Sequence, residues 1–462
     1  MFEEFSAPAR EPLAYVRAKW LWLRALGLIF FSAFYSLWFQ IHGLIGSRGI
    51  LPAREYLELA RRAIGAKAYW LAPTLLWLND SDAMLTAIVV AGAIASITLT
   101  VNVLPRTSVA IAIVCFLSFI GAAQDFASYQ SDGMLLEAAF LSLFLGGKNA
   151  PPPRLARFVL VFEWFRIYFE SGLVKILSGE EQWRNLTAMD KYYENGPLPT
   201  WIGWYAQQLP HSFHAASAAA TLIVELFIVW LGLFPSRWSR VTCFVICTLL
   251  QIGIIASANY AFLNYLVLAL GVWLLDDKVL NVGRASARPD GLKPVLRAVL
   301  IAHLITTSVM FFMPGFPLAA ALGPARIVNS FGLFAVMTRA RFEIEFQGTH
   351  DGKTWIAYPF RYKPQDVKKP PGIYAPYQPR FDWNLWFASL GSPADNPFVM
   401  NTESRLMEGS PQVLELFAGN PFAAQPPIAV RAVLWQYWFT TRAERARSGA
   451  WWNRRLVGLY EQ

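Results

Sequence analysis

Glu163, Arg166 and Glu170 stand three and four residues apart in an otherwise apolar stretch, and Lys175 follows further along it. On a helix that spacing puts the three on one face, so Arg166 can bridge both acids. At bilayer depth an ionisable side chain costs roughly 3 kcal/mol by insertion scales unless it is paired or hydrated. The cluster therefore reads either as an ion network locking two helices together or as the wall of a polar cavity for a headgroup or peptide. Lys175 also has two readings. It is a lysine snorkelling to the interface, or a base or phosphate contact within that cavity. Glu137, Glu225 and His303 stand singly in other apolar runs. The two acids are expected to face the bundle interior, and His303 to be a hydrogen-bonded core histidine.

Other chemistry has little footing. The five histidines are scattered, and Cys115, Cys243 and Cys247 all lie in apolar stretches without a Cys-x-x-Cys spacing. No metal site, disulfide framework or cofactor is expected. A Walker A loop, a Gly-x-Ser-x-Gly elbow and a His-Glu-x-x-His motif are absent from the sequence. No internal or inverted repeat is visible, which lowers the transporter reading.

These charges belong to an unusually apolar chain. Of its 462 residues, 55% are hydrophobic and 15% charged, against about 25% charged in soluble proteins. Mean hydropathy is +0.35. Disorder, coiled coil and an ordinary cytosolic enzyme are excluded, and a polytopic helical membrane protein is expected. The net charge of +9 then reads as basic loops held on the cytoplasmic side rather than as a nucleic-acid surface.

Nine apolar segments can serve as spans: Ala25–Ile45, Ala83–Leu104, Thr107–Gln124, Gly133–Gly147, Leu155–Leu177, Ser212–Phe234, two within Val241–Leu275, and Val295–Met313. Val241–Leu275 is too long for one helix, and Asn259-Tyr260 is the expected break. Lys and Arg are denser in the loops on the side of the N-terminus, among them Arg17, Lys19, Arg154, Arg157, Arg284 and Arg288. That bias puts the N-terminus (residues 1–22) inside, the bundle at 23–322, and residues 325–462 outside. An amphipathic outer segment is expected at 50–80, and an outer loop at 178–211.

From about Ala325 the pattern turns β-rich. Arg341–Phe346 alternates with period two, Asp351-Gly352 marks a tight turn, and Trp355–Tyr362 resumes an extended pattern, together a hairpin. Val430–Thr440 reads as a closing strand. Pro359–Pro379 holds six prolines and should be irregular. Ser410-Pro411 is a helix start. A small α+β or β-sandwich domain follows, its tryptophans either a surface for lipid or protein or a Trp-rich core.

Several segments resemble the lipase maturation factor family. They are Phe39–Pro52 with Arg48, Asp132–Glu137, Ser171-Gly-Leu-Val-Lys175, Trp183–Thr187, Tyr193-Glu194, Pro197-Leu-Pro199, Phe331–Met337, Arg361–Pro364, Gln378-Pro-Arg380, Asp382-Trp383 and Trp386–Ala388. The likeness runs in order from about residue 25 to the C-terminus. It implies a membrane-anchored, chaperone-like folding factor for an exported client such as a lipase, since animal members help secreted dimeric lipases assemble in the endoplasmic reticulum. A compact chain without a lumenal retention tail looks like a bacterial, inner-membrane member. Trp383, Trp386, Arg380 and Asp382 would form the client surface, and Arg48, Asp132, Trp183, Tyr193 and Glu194 a family-motif loop. Where the family pattern carries histidines, this chain has Tyr192, Gln207-Gln208 and Tyr377, so histidine chemistry is not expected.

Ser171–Lys175 followed by Trp183 is also similar to a stretch of the vitamin K-dependent carboxylase and its membrane relatives. That likeness implies a second reading: a membrane-embedded enzyme or a lipid- or quinone-binding protein using Lys175 and the buried Glu/Arg cluster. The partners expected are the bilayer, a bound lipid and the exported client.

Overall fold

The computed structural model describes residues 15–127, 129–148, 150–280, 291–313 and 315–460. Most of the N-terminal segment expected at 1–22, and the loop residues Arg284 and Arg288, lie outside these.

Ten helices of ten or more residues, or nearly so, build the N-terminal region. They are α1 (Val16–Trp38), α2 (Ala53–Ile64), α3 (Asp82–Thr100), α4 (Pro105–Ile120), α5 (Gln130–Ser142), α6 (Arg154–Leu177), α7 (His211–Leu226), α8 (Arg237–Ser257), α9 (Leu263–Gly271) and α10 (Pro294–Met310). Each of the nine apolar segments falls on one of them. Among the described residues four are long and apolar enough to cross a membrane: Val16–Trp38, Asp82–Thr100, His211–Leu233 and Arg237–Ser257. Pro105–Ile120, Leu263–Leu274 and Pro294–Met310 are apolar but shorter. At 13 residues α5 is about 20 Å long, well under the roughly 30 Å of hydrocarbon.

Local sequence sets the helix ends. Ser81 and Ser236 cap α3 and α8 through their hydroxyls, and Pro105 and Pro294 open α4 and α10, where a missing N–H costs nothing. The break at Asn259 is present, and its side chain explains it. Asn259 Nδ2 donates to Leu198 O and Gly372 O, and its Oδ1 accepts from the N–H of Tyr374 and Ala375. α2 is amphipathic, with Ala53 and Leu57 inward and Arg61 and Arg62 exposed. α1 and α3 pack closely through small residues, since a Cβ on Gly27 would come within 2.8 Å of Thr100 N and 2.9 Å of Ser96 O. A Cβ on Gly92 would come within 2.2 Å of the Phe34 ring.

The C-terminal region is α+β. Strands β1 (Arg341–Thr349), β2 (Ile356–Ala357), β3 (Ala429–Phe439) and β4 (Trp452–Leu459) form one antiparallel sheet, ordered β2-β1-β3-β4. The first hairpin turns where expected, with Gly352 at φ +70° and Asp351 Oδ1 accepting from the N–H of Lys353 and Thr354. Two expectations are corrected. The strand over Val430–Thr440 is central rather than closing, because it pairs with both β1 and β4. The alternative of a sandwich fails, since the described strands make a single sheet. Helices α11 (Arg380–Ala388) and α12 (Pro397–Met407) accompany it. Residues 358–379 contain no helix or strand, as their prolines require.

Bundle and sheet share one continuous hydrophobic core that includes Trp22, Phe116, Trp164, Phe346, Phe381 and Trp452. The expected boundary near 322–325 is therefore not a gap in packing. The expected client surface is also corrected. Trp383, Trp386, Arg380 and Asp382 are all buried, because α11 is sandwiched between β1 and the bundle, with Trp383 stacked on Tyr129.

Candidate functional site

α6 carries the clustered charges, and its neighbours decide which of them meet. Arg166 donates from Nε to Glu170 Oε1 at 2.7 Å and from Nη1 to Glu137 Oε1 of α5 at 3.0 Å. Its Nη2 donates to the carbonyl of Asn329. The expectation that Arg166 bridges Glu163 and Glu170 is thus half right. Glu137 from the facing helix takes the place assigned to Glu163, whose two carboxylate oxygens are buried without a partner. His303 Nε2 lies 3.3 Å from Glu137 Oε1 and 3.1 Å from Ile327 O. Asn329 Nδ2 donates to Glu137 Oε2, and Phe331 N–H donates to Glu170 Oε2. Every nitrogen of the guanidinium has a partner, so this knot ties α5, α6 and α10 to the chain at 327–331. Buried ion pairs of this kind hold register when each lone pair is satisfied.

Lys175, farther along α6, does not snorkel. Its ammonium is buried and donates to Glu225 Oε2 at 2.8 Å, Glu225 Oε1 at 3.0 Å and Leu333 O at 3.0 Å. The Trp183 ring lies 5.1 Å away, fixed by its indole N–H on Phe334 O. Ser171 O, at 3.4 Å from Lys175 Nζ, is a fourth acceptor, so the protein itself supplies the polar surroundings of this nitrogen. The pair lines a cavity of about 450 Å³ between α6, α7, α8 and α9, shared with Tyr168, Tyr193 and Gln251.

The motif residues fall in different places. Tyr193 faces that cavity. Glu194 accepts from the N–H of Phe439 on β3 and pairs with Lys191. Arg48 is exposed, and its backbone meets Gln412 and Ser410. Asp132 is buried in a bidentate pair with Arg380, at 2.7 and 2.8 Å. Asp382 accepts from the N–H of Tyr362 and Lys363. Burial pushes its carboxyl up to about 6, against the opposing pull of those donors and the Lys363 ammonium.

Two contributors escaped the sequence reading. Arg341 donates to the carbonyls of Glu194, Gly196 and Pro197 and pairs with Glu343, clamping the bundle loop to β1. Its signal was the alternation Arg341, Glu343, Glu345, a charged face that packing buries. Asn329 had no signal at all. Among the described residues no group of three His, Cys, Asp or Glu is placed to hold a metal.

A membrane-type helical region welded through buried ion pairs to a small antiparallel sheet defines a helical membrane protein with a firmly attached C-terminal α+β part. The lipase maturation factor transmembrane domain matches residues 17–282, and the lipase maturation factor C-terminal domain matches residues 327–462. The chain belongs to the lipase maturation factor family. Lipase maturation factor 1 of Bos taurus is 31% identical to it over 97% of this chain and 90% of that protein. Lipase maturation factor 2 of Gallus gallus is 30% identical over 96% and 80%, and lipase maturation factor 1 of Homo sapiens 30% over 98% and 90%. No solved structure matches the chain.

Proposed function

We propose that the chain is a membrane-anchored maturation factor that helps an exported client, a lipase foremost, reach its folded form. The observation that carries this reading is the likeness to both domains of lipase maturation factors in one chain, across nearly their whole length. Two buried arginines support the same view, because Arg380 and Arg341 spend their guanidinium groups joining the C-terminal part to the bundle. In this reading the apolar bundle lies in a bacterial inner membrane, its long helices crossing and its shorter ones packed among them, with the N-terminus cytoplasmic and the sheet outside, as the Lys/Arg bias favours.

The client contact falls on β4. It is the sheet's edge strand, paired among the described residues only with β3, and Leu456, Val457 and Leu459 are about half exposed. An open edge with apolar side chains is a template for an extended segment of another chain. Deleting the gene in the source organism should lower the active fraction of an exported lipase without lowering its synthesis. An unchanged active fraction for every exported lipase would overturn the reading.

A further inference from the structure

We propose that the cavity between α7 and α8 is a lateral binding site for an uncharged membrane lipid, an acyl chain beneath a hydroxyl or ester head, as in a monoacylglycerol. This does not rest on the maturation reading, and its test has no client in it.

The mouth is visible in the side chains. Gly253 on α8 and Ala220 on α7 both line the cavity and are exposed. A Cβ built on Gly253 would meet no heavy atom within 4 Å. Only 28% and 22% of the two apolar windows carrying these helices is buried, so the opening faces hydrocarbon. Ser217, Thr221 and Ala256 line the same cavity and keep its wall small beside these two. The volume of about 450 Å³ lies within the roughly 300–1,000 Å³ of small-molecule sites.

The floor sets the head group. Lys175 and Glu225 together are neutral, 2.8 Å apart. Beside them Gln251 donates to the Tyr168 hydroxyl at 2.9 Å and accepts from Asn264 at 2.6 Å. A phosphate or ammonium head would bring an uncompensated charge to a site already balanced, which is costly at bilayer depth. Hydroxyl and ester oxygens bring none: the hydroxyl can both donate and accept there, and the ester oxygens can accept.

The test is photolabelling of the full chain in mild detergent with a monoacylglycerol bearing a diazirine in its acyl chain. Labelled peptides should fall within residues 213–225 and 249–257. Unlabelled monoolein should compete and phosphatidylglycerol should not. Gly253→Trp should fill the mouth and cut labelling about tenfold, the equivalent of ~1.4 kcal/mol, with the melting temperature unchanged. Gly253→Ala should label normally. Glu225→Gln, which leaves Lys175 uncompensated, should let phosphatidylglycerol compete. Labelling spread evenly over the apolar helices, labelling unaffected by Gly253→Trp, or equal competition by phosphatidylglycerol in the unsubstituted chain would each overturn the proposal.

Discussion

Asp132 and Arg380, 248 residues apart in sequence, meet in a bidentate ion pair of 2.7 and 2.8 Å that is closed to solvent on both sides. Arg380 spends a further N–H on the carbonyl of Phe126 and lies over the Phe119 ring at 4.8 Å. One residue sits in the first turn of α5 in the bundle and the other starts α11 beside the sheet. The pair therefore fixes where the C-terminal part sits on the helical bundle.

Removing one partner leaves the other charged and unpaired, which costs about 3–5 kcal/mol at buried sites. Asp132→Ala and Arg380→Lys should both lower stability in detergent, the lysine variant because a point charge cannot span two oxygens. Thermal unfolding followed by tryptophan fluorescence checks this, and an unshifted transition in both variants would contradict it.

The acids of α6 should behave differently from one another. Glu170 holds both Arg166 and the N–H of Phe331, whereas Glu163 holds neither. Glu170→Leu should destabilise by about 3–5 kcal/mol, while Glu163→Gln should be within about 1 kcal/mol of the parent or above it. Equal losses would mean that Glu163 has a partner in the membrane.

Lys175 separates a structural ion pair from chemistry. Lys175→Ala should destabilise the bundle by stranding Glu225. Lys175→Met combined with Glu225→Gln should recover most of that loss, since apolar or neutral replacement of a whole buried pair is often tolerated. The double variant should also retain client maturation. A stable double variant with no maturation activity would assign Lys175 a chemical role instead.

Asp382 predicts a pH dependence. Its folded carboxyl titrates at about 6 against 3.8 for the free group. Between those values the folded chain binds the extra proton, so the contribution of Asp382 to stability is greatest below pH 4 and falls as pH rises to 6. The loss is on the order of 2–3 kcal/mol. Asp382→Asn should flatten this window. The difference in melting temperature between parent and variant, followed from pH 4 to 7, reads it directly, and a difference independent of pH would refute the assignment.

Much of this architecture is legible in the sequence, and the misses have physical causes. Apolar runs located the nine bundle segments, and Asn259-Tyr260 marked a break because Val241–Leu275 is too long for one span. The turn at Asp351-Gly352 followed from Gly352 being able to adopt φ +70°. β4 escaped because Arg454-Arg455 interrupts any alternation, and its register is set by β3 rather than by its own pattern. Trp383 and Trp386 looked like surface because composition does not say which face of α11 the sheet covers. Glu137 displaced Glu163 beside Arg166 because spacing along one helix says nothing about the helix opposite.

The most direct test is lipase-specific activity, measured as activity per mass of exported lipase, in cells expressing that lipase with this chain, without it, or with a Val457→Asp chain. A charge at 457 spoils the exposed strand edge while leaving the buried face of the sheet intact. The account predicts a higher specific activity with the parent chain, and a return toward the level without it for Val457→Asp at equal membrane abundance. Equal specific activity in all three would contradict it.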